Sequence, residues 1–201
     1  MRLTIPNQLT LLRILLTLVF LYYFIQAKPS HQLIASIVFI LAALTDWYDG
    51  WYARRFGVIT RWGQFMDPLA DKFLVSSALI VFAVMDYVKG WMVGIIVGRD
   101  ILVTIIRIYA INKGKPIVTS LLAKWKTFSQ MAIILAILGY LNWLNFHGEG
   151  GIVYHASYFD LLGLAMLSVT VLTLISAILY SYENWGLIWR MLKELFVRTS
   201  T

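Results

Sequence analysis

Cysteine is absent from this chain of 201 residues, and charge is scarce: Asp, Glu, Lys and Arg make up 13% of it, with only ten acids in all. Without a thiol there is neither a disulfide framework nor thiolate metal ligation, and cysteine usage leaves the redox compartment open. So little charge, together with 60% hydrophobic residues and a mean hydropathy of +0.77, excludes the surface of a soluble domain and fits a membrane protein. No small-residue cleavage site separates Met1–Gln8 from the first apolar run. That run therefore reads as a retained span and not as a removed signal peptide. There is also no internal repeat, low-complexity tract or separate soluble domain, so one membrane domain is expected over residues 1–201. The net charge of +7 belongs with basic loops and anionic lipid, not with nucleic acid, because no folded nucleic-acid module is present.

A transmembrane helix needs about 20 mostly apolar residues. Six stretches meet that length: 9–27, 33–53, 68–88, 91–111, 125–146 and 158–182. The expected architecture is all-α, with six transmembrane helices. The third and fourth spans are expected to form a hairpin through a short link at Lys89–Gly90, with Pro68 in the first turn of the third. With the N-terminus cytoplasmic, that side carries Arg2, Arg54, Arg55, Arg61, Lys113, Lys115, Lys124, Lys126, Arg190, Lys193 and Arg198, against Lys28 and Lys89 opposite. The positive-inside rule then places both termini in the cytoplasm. After the spans, residues 185–197 repeat apolar residues at Ile188, Met191, Leu192, Leu195 and Phe196, with Arg190, Lys193 and Glu194 largely on the other side. This is the pattern of an interfacial amphipathic helix. His31, His147 and His155 fall in predicted loops, away from the acids.

Four of the ten acids lie between residues 46 and 71. Asp46 and Asp49 share a helical face near the cytoplasmic end of the second span, and Gly50 and Arg54 continue that face. Asp67 and Asp71, four residues apart, open the third span. Acids at membrane depth are costly and usually functional. Four carboxylates side by side repel one another, and hard divalent cations with oxygen ligands relieve that repulsion. Paired ions of this kind serve displacement at phosphorus. Gly50 admits close backbone approach, and Arg54 suits a phosphate. The competing explanation is structural, with the acids acting as helix caps or ion-pair partners of Arg54, Arg55 and Lys72.

The run Asp46-x-x-Asp49-Gly50-x-x-Ala53-Arg54, eight residues, Gly63-x-x-x-Asp67-x-x-x-Asp71 resembles the signature of the CDP-alcohol phosphotransferases. The resemblance implies a six-helix membrane homodimer with a cytoplasm-facing cavity. It also implies transfer of a phosphatidyl or similar group from a CDP-linked lipid to an alcohol, with release of CMP. Carried over by position, Asp46, Asp49 and Asp67 are ligands of one divalent cation, Mg2+ or Mn2+, and Asp46, Asp67 and Asp71 serve a second. Asp71 is also the general base. Gly50, Arg54, Thr60 and Gly63 are grouped with the CDP-lipid.

The acceptor must be read elsewhere. Ile5-Pro6-Asn7-Gln8-Leu9-Thr10 followed by Arg13, Gly98-Arg99-Asp100 followed by Arg107, and Lys124-Trp125-Lys126-Thr127 followed by Gln130-Met131 are similar to motifs of the bacterial phosphatidylglycerophosphate synthases. Asp100 stands where those enzymes carry Glu, and Ala123 where they carry Gly. This likeness implies CDP-diacylglycerol as donor and glycerol 3-phosphate as acceptor, in the inner membrane of a bacterium. It adds Asn7, Thr10 and Arg13 to the CDP-lipid contacts. An acceptor with its own phosphate needs cations that a neutral alcohol does not. Arg99 and Arg107, eight residues apart on one face, with Lys124 and Lys126, are the candidates. Serine, inositol phosphate or phosphatidylglycerol as acceptor, and more remotely a cation transporter, remain the alternatives.

Overall fold

The computed structural model describes residues 5–56, 61–113, 121–147, 157–158 and 160–198. They form α1 (Ile5–Ile25), α2 (Pro29–Phe56), α3 (Arg61–Val84), α4 (Gly90–Asn112), α5 (Leu121–His147), α6 (Leu161–Glu183) and α7 (Trp185–Arg198), with no strand among the described residues. Four of these, α1, α2, α5 and α6, are long and apolar enough to cross a membrane. The other two long helices fall short through charge and not through length. Any 18-residue stretch of α3 contains Asp67, Asp71 and Lys72, and any such stretch of α4 contains Arg99, Asp100 and Arg107.

The turns explain where the helices stop. After α1, Ala27 takes a left-handed φ of 52°, its N–H reaches the Phe24 carbonyl at 3.2 Å, and Pro29 opens α2 at its first position, where a missing N–H costs nothing. The α3–α4 link is longer than the sequence suggests. α3 ends at Val84 because Asp86 adopts φ 56°. The Tyr87 and Asp86 N–H groups then close onto the Phe82 (2.8 Å) and Ala83 (3.2 Å) carbonyls, the bond pair of a Schellman cap. At its other end α3 begins at Arg61, ahead of the expected start, so Pro68 lies inside the helix and not in its first turn. Without an N–H, Pro68 cannot bond the Gln64 carbonyl. His31 sits in the first turn of α2 and His147 ends α5, so neither is in a loop, while His155 lies outside the described residues.

α1 packs against both α2 and α3, and α6 packs against α4 and α5. Phe20, Phe24, Phe39 and Phe82 fill the centre of the first group, with ring centroids 5.2–5.5 Å apart. Lipid tails are as apolar as leucine, so packing and interhelical hydrogen bonds carry much of helix association in a membrane. Between α2 and α5, Asn142 donates to Ser36 Oγ at 2.7 Å and Asn145 to Gln32 Oε1 at 2.6 Å, while Gln32 donates to the Tyr87 hydroxyl at 3.2 Å. Outward-facing leucines and isoleucines on α1, α2, α4 and α6, such as Leu15, Ile37, Leu102 and Ile178, are exposed.

α7 covers the stretch where an amphipathic helix is expected, with Trp185 and Trp189 exposed. Lys113, just past α4, donates to Glu194 Oε1 at 2.8 Å. That contact keeps Lys113 protonated above its ordinary range, although an exposed pair of this kind contributes little stability.

At the start of α6, the Asp160 side chain accepts the Gly163 N–H at 2.7 Å, which caps the helix. A Cβ on Gly163 would stand 2.1 Å from the Ser157 carbonyl oxygen. Gly163→Ala should therefore destabilise the protein by about 1–3 kcal/mol. Gly139, whose Cβ position meets nothing within 4 Å, should instead tolerate Ala or gain up to about 1 kcal/mol. Thermal unfolding of the two variants in detergent separates them, and equal midpoints would refute the close contact.

Candidate active site

Arg13 lies in the third turn of α1, fully buried. Its guanidinium reaches Asp46 Oδ1 at 2.9 Å and also pairs with Asp49 Oδ2 and Asp71 Oδ1. One planar cation with several N–H donors thus gathers carboxylates from two other helices, as a guanidinium is suited to do. The Asp46-x-x-Asp49 spacing puts both acids on the same side of α2. Asp71 meets them from α3, where Ala70 and Leu74 beside it are buried and fix the helix face. Thr17, one turn along α1, donates to the Arg13 carbonyl at 2.8 Å, and Thr10, one turn back, is buried. Asp49 is buried, whereas Asp46 and Asp71 stay half exposed, so the cluster opens to one side.

A second charged cluster lies between α3, α4, α5 and α6. Its hub is Asp100, which is buried. Asp100 Oδ1 receives Arg99 Nη1 at 3.1 Å and pairs with Lys126, and Oδ2 receives Gln130 Nε2 at 3.3 Å. Lys72 Nζ stands 3.6 Å from Oδ2. Arg99 also donates through Nη2 to Ser176 Oγ on α6 at 2.7 Å. One helical turn further, Tyr180 is buried, and its hydroxyl has no hydrogen-bond partner among the described residues. Arg107 and Arg99 are close enough to act on that hydroxyl electrostatically.

The two clusters have opposite sign. At full ionisation, Asp46, Asp49 and Asp71 against Arg13 leave a surplus of two negative charges, and Arg99, Lys126 and Lys72 against Asp100 leave two positive ones. They adjoin along α3, because Asp71 belongs to the first and Lys72 to the second. An acidic cluster of hard oxygen donors with excess negative charge suits divalent cations. Among the described residues, however, no three acids or histidines are grouped as a metal cage, and the three carboxylates are paired with Arg13.

The structure brings together Asp46, Asp49, Asp71 and Arg13 from the sequence-derived set, and Gly50 continues the Asp46 face of α2. Arg99 and Lys126 also come together, but around Asp100; Lys126, one of the two lysines expected at the acceptor's phosphate, is fully buried against that carboxylate. Arg107 lies further along α4, toward Tyr180. Thr60 falls outside the described residues, as do the side chains of Asn7, Arg54, Gly63, Asp67 and Lys124. Sequence reasoning missed Ser176 and Tyr180. The available signal was their one-turn spacing in line with the buried Thr173, on a mostly apolar helix that also carries Ser168 and Thr170.

The model of the CDP-alcohol phosphatidyltransferase family matches residues 3–179. The CDP-diacylglycerol–glycerol-3-phosphate 3-phosphatidyltransferase of Bacillus subtilis (strain 168) is 32% identical over 193 residues, covering 90% of this chain and 95% of its own. Proteins of the same name from Pectobacterium atrosepticum and Salmonella typhimurium are 35% and 33% identical, over 69% and 74% of this chain and 78% and 84% of theirs. The match to the family ends inside α6, so α7 lies beyond it.

Removing one partner of a buried ion pair costs about 3–5 kcal/mol, because the remaining charge is left uncompensated. Arg13→Met should therefore lower the thermal midpoint in the absence of divalent cations. Added Mg2+ should recover more of the midpoint in the variant than in the wild type, since the carboxylates no longer share a guanidinium. An unchanged midpoint would contradict the pairing.

Proposed function

Because the chain belongs to the CDP-alcohol phosphatidyltransferase family, we propose that it transfers the phosphatidyl group of CDP-diacylglycerol to glycerol 3-phosphate, giving phosphatidylglycerol phosphate and CMP. The observation that carries this reading is the meeting of Asp46, Asp49 and Asp71 from two helices at one point of a hydrophobic bundle. The acceptor is supported by the names of the relatives and by the cation-rich cluster adjoining the acids on α3.

The donor set of Asp46, Asp49, Asp67 and Asp71 fits two hard divalent cations, Mg2+ or Mn2+, which when bound neutralise the diphosphate and the departing CMP. Asp71, half exposed where the site opens, takes the proton of the acceptor's hydroxyl. The alkoxide oxygen forms a bond to the phosphatidyl phosphorus as the bond from that phosphorus to the CMP oxygen breaks. Gly50, Arg54, Thr60 and Gly63 hold the cytidine diphosphate, with Asn7 and Thr10 on the lipid side, while Arg13, expected there too, gathers the carboxylates instead. Arg99, Arg107, Lys124 and Lys126 provide the positive field for the acceptor's phosphate.

Six helices cross the bilayer in this reading, α3 and α4 included, because Asp71 and Lys72 of α3 and Arg99 and Asp100 of α4 are paired inside the protein. The 11-to-2 division of basic residues supports both termini and the site on the cytoplasmic side of a bacterial inner membrane, with α7 on that leaflet. The functional unit is a homodimer.

Purified protein given CDP-diacylglycerol and Mg2+ should release CMP with glycerol 3-phosphate and not with serine, inositol phosphate or phosphatidylglycerol. Release with serine alone would overturn the acceptor assignment. Asp71→Asn should lower turnover by about 10²–10⁴-fold while largely keeping the stabilisation by Mg2+. Loss of both together would remove the role of base.

A further inference from the structure

We infer that Lys72, held in place by Asp100, is the cation that meets the acceptor's phosphate and sets its hydroxyl against Asp71. This rests on the reading of the reaction given above, and adds a contact and a positioning residue to it.

The argument begins with access. Lys126 and Arg99 carry the charge expected of a phosphate site, but the Lys126 side chain is 0% exposed and that of Arg99 8%, and both are engaged with Asp100. A doubly charged phosphate arriving from water does not reach a fully buried ammonium without breaking that pair, which is costly. Lys72 belongs to the same cluster, yet its side chain is 26% exposed. Its contact to Asp100 is the loosest of the set at 3.6 Å, beyond an ordinary hydrogen bond. Lys72 is thus the accessible edge of the cluster, backed by a carboxylate whose other partners are buried.

Position along the chain supplies the second part. Lys72 follows Asp71 directly, and consecutive Cα atoms are about 3.8 Å apart. In a helix the two side chains diverge by about 100°, so one turns toward the acids and the other toward α4. The contacts follow this division: Asp71 meets Arg13 on α1 and Lys72 meets Asp100 on α4. A phosphate on Lys72 and a hydroxyl at Asp71 are therefore held by adjacent residues, and the distance between them is bounded by the reach of two neighbouring side chains. This geometry selects a short polyol monophosphate over an acceptor whose hydroxyl and phosphate stand far apart.

Asp100 has a positioning role. It orients Lys72 and keeps Lys126, Arg99 and Gln130 gathered behind it. Its short side chain brings those cations in against α4.

The test is steady-state kinetics on Lys72→Met, which keeps the stem and removes the charge, and on Lys72→Arg and Asp100→Asn. Losing one charged contact to phosphate should raise the KM for glycerol 3-phosphate about tenfold or more. The KM for CDP-diacylglycerol should stay within about twofold in the same variant. Lys72→Arg should recover most of the loss, and Asp100→Asn should follow Lys72→Met in direction. Inorganic phosphate should compete with glycerol 3-phosphate in the wild type and compete less well in Lys72→Met. Thermal midpoints of Lys72→Met and Lys72→Arg close to the wild type establish that these two variants are folded, whereas Asp100→Asn should melt lower because it leaves buried cations unpaired. A fall in turnover with no change in the KM for glycerol 3-phosphate, or an equal rise in both KM values, overturns the inference. If the wild type itself releases no CMP with glycerol 3-phosphate, the reaction assignment fails instead.

Discussion

A buried guanidinium with three carboxylates is the interaction on which the first half of this molecule depends. α1 packs against both α2 and α3, and at the depth of the acids Arg13 carries the link between those two helices through Asp46, Asp49 and Asp71. An unpaired cation or a set of unpaired acids at that depth would be expensive. Together they are tolerated, and the acids come to one point. The phenylalanine cluster further along α1 packs it against α2 and α3. Arg13 fixes which faces turn inward.

The surplus of negative charge left around Arg13 has its counterpart across α3, where Asp100 gathers more positive charge than it neutralises. Because Asp71 and Lys72 are neighbours, the two centres share a wall and need no loop to align them. A cation-demanding cluster beside an anion-demanding one suits a reaction in which a phosphorylated alcohol displaces CMP from a nucleotide-diphosphate lipid. Both are built on helices, so their spacing is set by helix geometry and not by flexible segments.

Much of the acidic centre is legible in the sequence, because it depends on local spacing. Asp46 with Asp49, and Asp67 with Asp71, lie on common helical faces by periodicity alone. The amphipathic α7 and the six long helices are readable for the same reason. What the sequence hides depends on partners far along the chain. Arg13 reads as a lipid contact until α1 is packed against α2 and α3. Lys126 reads as a phosphate ligand until Asp100 is found against it, and Ser176 and Tyr180 have no local signal strong enough to stand out on an apolar helix. The helix ends went astray where the backbone broke a preference. Asp86 took a left-handed conformation that favours glycine, and α3 ran through Pro68 from an earlier start.

The central claim is that these acids hold metal for a transfer at phosphorus, and Mn2+ binding followed by electron paramagnetic resonance on the purified protein with CDP-diacylglycerol tests it most directly. The account predicts two bound Mn2+ per chain, with binding weakened by Asp46→Asn and tightened by the nucleotide lipid. An absence of specific Mn2+ binding, or binding unaffected by the loss of Asp46, would contradict it.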